Sequence, residues 1–417
     1  MEVRPGYRQT DVGVIPEDWR VMPFIRAVGS YIDYRGRTPR KLGLSWGGGN
    51  ILALSANNVQ MGRIDADKEA NVGSEDLYRK WMVQGECEPG DVLLTMEAPL
   101  GNVAQIPDSR KYILSQRVVL IKPKDWLLRD FLAHYLKSHS FQKQLSLHST
   151  GSTAKGIQRR RLDSLPIALP STKVEQKAIA EALSEADSLI ESLEQLLAKK
   201  RLLKQGAMQE LLTGKKRLPG FNGEWVLKRL GEVCRLIVDG THFTPRYVES
   251  GIPFYSVENV TANEFTSTKF ISAEEHFQLV KRCKPERGDI LLTRIGSIGD
   301  TKLIDWNVEA SIYVSLALLK IGDHIDAGYL YCYSKCRQFI KDMEDRSLMN
   351  ASPKKINLRD IGDVPVPVPD RSEQIAIAGI LSDMDAELSA LKAKLAKARQ
   401  LKQGMMQELL TGRIRLI

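Results

Sequence analysis

Residues 175–214, EQKAIAEALSEADSLIESLEQLLAKKRLLKQGAMQELLTG, return at residues 373–412 as EQIAIAGILSDMDAELSALKAKLAKARQLKQGMMQELLTG. The two align without a gap at an offset of 198, and 24 of the 40 positions are identical. Self-similarity of this kind marks a duplication and constrains the architecture before any element is assigned. Each copy starts as a helix should. Thr172 and Asp370 stand three residues before Glu175 and Glu373, in capping-box spacing, just after Pro170 and Pro369, which end the preceding segment. In the second copy Leu381, Met384, Leu388, Leu391, Leu395, Ala398, Met405 and Leu409 follow three- and four-residue steps, interrupted by Lys402. In the first, Leu183, Ala186, Ile190, Leu193, Leu197, Ala207 and Leu211 do so, interrupted by Lys200 and Lys204. A narrow, sustained a/d stripe predicts pairing with another helix, here its own duplicate. A helix of 40 residues spans roughly 60 Å at 1.5 Å per residue. Gly206 and Gly404 sit inside matching KQGxMQELLTG strings. A mid-helix glycine costs about 1 kcal/mol relative to alanine, so both predict a kink or a close helix crossing. Gly214 and Gly412 are expected as C-caps.

Weaker matches carry the duplication outward. EPGDVLLT (88–95) returns as ERGDILLT (286–293), and LSANNV (54–59) faces YSVENV (255–260). Glu17-Asp-Trp19 resembles Gly223-Glu-Trp225, and Thr38-Pro39 resembles Thr244-Pro245. The expected order is a globular block at 1–170, a helix at 171–214, a second block at 215–368 and a second helix at 369–417. The short apolar runs 91–95, 118–121, 289–293 and 315–319 are bounded by Gly, Pro and Asp and predict buried strands. Residues 131–145 and 329–343 predict one amphipathic helix per block. Each block is therefore expected to be an α/β (α+β) domain with a curved, mostly antiparallel sheet.

The chain has 417 residues, with 43% hydrophobic and 27% charged residues, as in a folded protein. No stretch approaches the roughly 20 apolar residues that cross a bilayer. The first residues, MEVRPGYRQTDVGVIPEDW, carry no basic-then-apolar export signal, and five scattered cysteines suit reduced thiols. A cytoplasmic protein is expected. Lys and Arg number 60 against 51 Asp and Glu, a net charge of +9 that favours polyanionic partners.

Catalytic motifs are missing. GSTAKG (151–156) lacks the spacing of a phosphate loop, and no Asn/Asp-Pro-Pro-aromatic motif or Gly-rich βαβ loop occurs. The GDVLLT and GDILLT strands resemble a metal-binding nuclease strand, but Glu97 is followed by Ala98-Pro99 and the second copy has Arg294 at the adjacent position. Asp91 and Asp289 are read as turn residues entering strands. The six histidines have no ligand spacing with each other or with cysteine, and Cys332 and Cys336 are too few for zinc.

The repeated polar segments are loops. DYRGRTPRK (33–41) supplies Arg35, Arg37, Arg40 and Lys41, and its counterpart DGTHFTPR (239–246) supplies Thr241, His242 and Arg246. KGIQRRR (155–161) supplies Lys155, Arg159, Arg160 and Arg161, and PKKINLR (353–359) supplies Lys354, Lys355 and Arg359. Asn57, Asn58, Asn259 and Arg294 complete the DNA-contact candidates. Arg and Lys clasp phosphates or read guanine, whereas Asn and Gln read adenine. A single basic residue is ordinarily a solvated charge; clustering in both blocks raises these above that. One frame with two sets of loops predicts two readers of an asymmetric, bipartite DNA site.

This order of parts resembles the DNA specificity subunit of type I restriction-modification systems over essentially the whole chain. The matching features are GYRQTDVGVIPEDW (6–19), the two GDVLLT-like strands, the Pro…Glu-Gln-x-x-Ile-Ala helix starts and the KQGxMQELLTG helix ends. The second helix start has one residue fewer between Pro369 and Glu373. The resemblance implies two target-recognition domains separated by two long helices that form an antiparallel coiled coil with pseudo-two-fold symmetry. It also implies a chain without catalytic residues that binds double-stranded DNA and two methyltransferase subunits. S-adenosylmethionine would sit on those subunits, and ATP and Mg²⁺ on restriction motor-nuclease subunits. The helix seam, with Leu183, Ile190, Leu193, Leu197, Leu381, Leu388, Leu391 and Leu395, is the expected docking region. A stand-alone nuclease or methyltransferase and a coiled-coil scaffold without DNA function are the alternatives.

Overall fold

In a computed structural model of the chain, residues 4–68, 70–152, 154–348 and 351–416 are described. Met1, Glu2 and Val3 of the N-terminal stretch and Thr153 of 151–156 lie outside them. The chain forms two compact units, Met1–Leu193 with Lys394–Ile417, and Glu194–Ala393. Each unit takes the first part of one long helix and the last part of the other.

In unit 1 four strands lie in the order Leu100–Gln105, Val92–Met96, Val118–Pro123, Val28–Asp33, and every neighbouring pair is antiparallel. Val92–Met96 is buried along its whole length because both faces are covered. Val92 and Leu94 join a core with Phe131, Leu136 and Phe141. Leu93 turns to the other face, against Leu77, Trp81 and Ile113. That two-sided burial explains why the run reads as continuously apolar. A second sheet places Ile51–Leu54 between Tyr112–Leu114, parallel, and Val72–Gly73, antiparallel.

Unit 2 repeats this frame. Cys234–Asp239, Leu316–Ile321, Ile290–Thr293 and Thr301–Leu303 form its antiparallel sheet in the equivalent order. Ile290 and Leu292 face a core with Tyr329 and Phe339, and Leu291 faces Tyr255 and Ile312. Asp91 and Asp289 behave as turn residues: their carboxylates accept the backbone N–H of Glu88 at 2.9 Å and of Glu286 at 2.7 Å.

The long helices run Lys173–Leu211 and Arg371–Leu409. In unit 2 Lys200 meets Glu387 at 2.6 Å and Lys204 meets Asp385 at 2.5 Å. Rising numbers on one helix meet falling numbers on the other, so the segments pair antiparallel. In unit 1 Lys402 pairs with Asp187. The lysines that break the heptad stripe thus each face a carboxylate of the opposite helix. Leu183, Leu193, Leu197, Leu381, Leu388 and Leu395 are buried, while Ile190 and Leu391 are half-buried.

Three expectations change. Residues 131–145 are not one helix but parts of two, Arg129–Lys137 and His139–Leu147, because the extended Ser138 caps the second, its hydroxyl accepting from Phe141 N at 3.3 Å. In unit 2 Cys336 breaks 329–343 in the same way, between Ala327–Ser334 and Arg337–Asp345. The Gly206 and Gly404 positions make no close crossing, since a Cβ at either would meet nothing within 4 Å. Thr172 Oγ1 does accept from Glu175 N at 3.3 Å, but the Glu175 carboxylate turns to Trp19 Nε1 (3.3 Å) and to Arg415. Glu373 is held alike by Trp225 Nε1 at 3.1 Å and Arg217 at 2.7 and 2.8 Å. Gly214 and Gly412 are left-handed, each with φ +70°, just past the helix ends.

Candidate nucleic-acid interface

The polar loops of each unit grow from the end of one strand. Asp33 and Asp239 close Val28–Asp33 and Cys234–Asp239, opposite Val119 and Ala317. Asp33 accepts from Arg35 Nε at 2.9 Å and Nη2 at 2.7 Å. Burial opposes its ionisation, yet the Arg35 hydrogen bonds win and hold its carboxyl below the usual carboxylate range. Arg37 donates to the carbonyls of Trp81 (3.2 Å) and Lys80 (2.9 Å) and lies 5.6 Å from the Tyr34 and Trp81 rings. Lys41 donates to Gly36 O at 2.9 Å, and Arg40 is exposed. Arg35 and Arg37 therefore shape the loop, and Arg40 and Lys41 face solvent.

In unit 2, Asp239 accepts from Arg294 Nη1 at 3.0 Å and Arg282 Nη2 at 2.6 Å, with His242 Nε2 3.0 Å away. Arg294 also donates to Ile356 O (3.2 Å) and Val314 O (3.1 Å). His242, Arg246, Lys354, Lys355 and Arg359 are exposed.

The structure joins segments that lie far apart in sequence. Ile157 N donates to Met96 O at 2.9 Å and Ala98 N to Lys155 O at 3.3 Å, fixing 155–161 to the end of Val92–Met96. Ile356 N to Arg294 O (3.0 Å) and Gly296 N to Lys354 O (2.9 Å) do the same in unit 2. Buried Ile157 and Ile356 root these segments and leave their basic neighbours outside. Arg159 stacks 4.1 Å over Tyr31, Arg161 donates to His148 O at 3.4 Å, and Arg160 and Lys155 are exposed.

Four candidates are corrected. Asn58, Asn259, Arg294 and Thr241 are 0%, 8%, 8% and 7% exposed. Asn58 Oδ1 accepts from Ser55 N at 3.2 Å and its Nδ2 donates to Asp65 O at 3.3 Å. Asn259 repeats this with Ser256 N (2.9 Å) and Glu264 O (3.1 Å). Thr241 bridges to Tyr313. Their polar groups are used inside the protein, so they build the frame and do not face a ligand.

Sequence reading missed Asn71, Gln116 and Arg117, which with Arg37, Asn57 and Trp46 line a polar cleft of ≈ 350 Å³ in unit 1. It missed Arg282 as well. Gln116 and Arg117 stand opposite Val314 and Ser315 at the repeat offset, a difference between copies that could have drawn attention. Leu183 and Leu381 join the cores of units 1 and 2, and Leu193, Leu197, Leu388 and Leu395 are buried as well, whereas Leu202, Leu203 and Leu401 are exposed. Among the described residues no helix is long and apolar enough to cross a membrane.

A family model described as the type I restriction modification DNA specificity domain matches twice, at residues 17–199 and 222–400. The chain is 25% identical over 423 residues to the type I restriction enzyme MjaVIII specificity subunit of Methanocaldococcus jannaschii, covering 96% of this chain and 94% of that one. It is 24% identical over 299 residues to the EcoKI specificity subunit of Escherichia coli, covering 68% and 62%. Among solved structures, the S subunit of a type I restriction-modification system from M. genitalium shares the fold, with a TM-score of 0.61, 18% identity and 98% of each chain covered.

Proposed function

The chain belongs to the type I restriction modification DNA specificity family, with two such domains, and from that premise we propose that it reads a bipartite, asymmetric sequence in double-stranded DNA. Each unit takes one half of the target through its strand-end loops. The observation that carries this reading is one frame used twice with different loops: Asp33 and Asp239 occupy the same register and Arg40 and Arg246 the same place after Thr-Pro, yet His242 and Phe243 stand where the first loop has Gly36 and Arg37, and Tyr247 stands where it has Lys41. Similar frames hold the readers, and divergent side chains make the two halves differ. Exposed Arg and Lys supply the salt-sensitive, sequence-independent part of the affinity.

The subunit itself performs no chemistry in this reading. It docks two methyltransferase subunits, which bring S-adenosylmethionine, and restriction motor-nuclease subunits, which use ATP and Mg²⁺. The repeated outer helix faces support docking: Leu203 and Leu401 stand at equivalent, exposed places beside Gly206 and Gly404. Two similar surfaces suit two copies of one partner.

The test is a methylation map. DNA exposed to this chain, its methyltransferase partner and S-adenosylmethionine should carry methyl groups in one split sequence. Exchanging 215–368 for the block of a related protein should rewrite one half only. Methylation without a defined sequence, or a swap that alters both halves, would overturn the reading. Turnover by the pure chain with DNA, Mg²⁺ and S-adenosylmethionine would overturn its non-catalytic part.

A further inference from the structure

Resting on the DNA-reading function above, we propose that Gln116 and Arg117 are specificity-determining residues of unit 1, reading base edges while Arg40 and its exposed basic neighbours hold the phosphate backbone. They form, with Ser115, the turn between Tyr112–Leu114 and Val118–Pro123.

The backbone of this turn is pinned from three sides. Ser115 N donates to Leu54 O at 2.8 Å, Ala56 N to Gln116 O at 3.3 Å and Met96 N to Arg117 O at 2.8 Å. The side chains of Gln116 and Arg117 nevertheless stand exposed. Fixed main chain with free polar ends is the arrangement that presents donors and acceptors at low entropic cost. Arg117 has φ +68°, a left-handed conformation that glycine or asparagine would hold with less strain. Its guanidinium comes no closer than 3.6 Å to Glu97 Oε1, which is a loose ion pair and leaves its donors available. The cleft beside it carries two more carboxamides, Asn57 and Asn71.

Unit 2 shows what the same turn looks like when it serves only the frame. Tyr313 N donates to Tyr255 O and Arg294 N to Ser315 O, both at 2.9 Å, equivalent to the Ser115 and Met96 bonds. Ser315 is buried there, and its hydroxyl accepts from Val257 N at 3.1 Å. The Val314 carbonyl receives Arg294. The pinned turn is shared; only in unit 1 does it display side chains whose donors and acceptors fit guanine and adenine edges.

The experiment measures methylation of a randomised DNA pool by the complex with its methyltransferase subunits, and salt-dependent binding of the same complexes. Arg117→Ala and Gln116→Ala should each relax discrimination 10- to 100-fold at one or two base pairs of one half-site. The other half and the salt slope should stay as they were. Arg40→Ala should instead weaken every sequence alike and lower the salt slope by about one. Arg117→Gly removes the backbone strain, so it should melt no lower than the parent and still lose the discrimination, which separates reading from folding. Unchanged base preferences in Arg117→Ala and Gln116→Ala, with a specific parent, would overturn the inference alone. A uniform loss with a reduced salt slope in Arg117→Ala would reassign it to phosphate. A parent complex without any defined target would overturn the function on which the inference stands.

Discussion

Asp239 shows how a repeated position can be kept while its partners change. In unit 1 its equivalent is satisfied locally by Arg35; in unit 2 it gathers Arg294, Arg282 and His242. The residue at the repeat offset from Arg294 is Met96, buried and apolar. Arg294→Met therefore imposes the unit 1 solution where no local arginine exists. Breaking a buried pair typically costs 3–5 kcal/mol, and because Arg282 remains on Asp239 the expected loss is about 2–3 kcal/mol. Denaturant titration checks this, and Arg294→Met with Asp239→Asn should recover part of the loss. Asn58, Asn259 and Arg294 had the right chemistry for DNA and the wrong burial, and residue type alone does not report burial. Asn58 and Asn259, which match between the copies, are buried in the frame, whereas Gln116 and Arg117 have no like residue in the second copy, so repetition pointed away from them. His134 supplies a pH test. Burial lowers its pKa to about 3, Lys137 and Lys402 add to that, and Asp187 opposes. Between about pH 6.5 and 3 the unfolded chain binds one proton more than the native one. Stability present above pH 6.5 is lost as the pH falls, and His134→Leu should flatten that slope by up to about 1.4 kcal/mol per pH unit in pH-dependent unfolding curves.

At the scale of elements, the long helices were the most legible part of the sequence, because period and caps are local signals. Their seam lysines were not, since their partners lie about 180 to 215 residues away. A double-mutant cycle on Lys204 and Asp385 should give a coupling of only about 0.5 kcal/mol, because Asp385 is half exposed. Replacing Lys204 with Leu should cost little stability and loosen helix register, seen as broadened amide resonances. The helix glycines make the sharper case. With nothing within 4 Å of a Cβ, Gly206→Ala and Gly404→Ala should stabilise the isolated chain by about 1 kcal/mol each. If a partner's backbone lies against these positions, the same changes weaken its binding. Opposite signs in melting and in pull-down with the methyltransferase are the expected outcome; weaker melting would contradict the open helix face. The breaks at Ser138 and Cys336 escaped notice because a single capping side chain inside an amphipathic run leaves its periodicity intact.

At the scale of the whole molecule, the duplication was readable and the way it is cut into units was not. Unit 2 is one continuous stretch, Glu194–Ala393, whereas unit 1 needs Lys394–Ile417 beside Met1–Leu193. The equivalent ties differ accordingly, Arg415 to Glu175 across 240 residues and Arg217 to Glu373 across 156. Closing the longer loop costs only about 0.4 kcal/mol more, so equilibrium stability hardly distinguishes the two. Time of synthesis does. The ribosome has made all of unit 2 before it reaches Leu409 and Leu410, which belong to the core of unit 1. On a nascent chain arrested with residues up to about 393 exposed, unit 2 should resist protease while unit 1 is still cut, since domains fold as they emerge. Equal protection of both would contradict this order. The half translated first is thus the half finished last, because unit 1 closes only after residues 394–417 have followed unit 2 out of the ribosome.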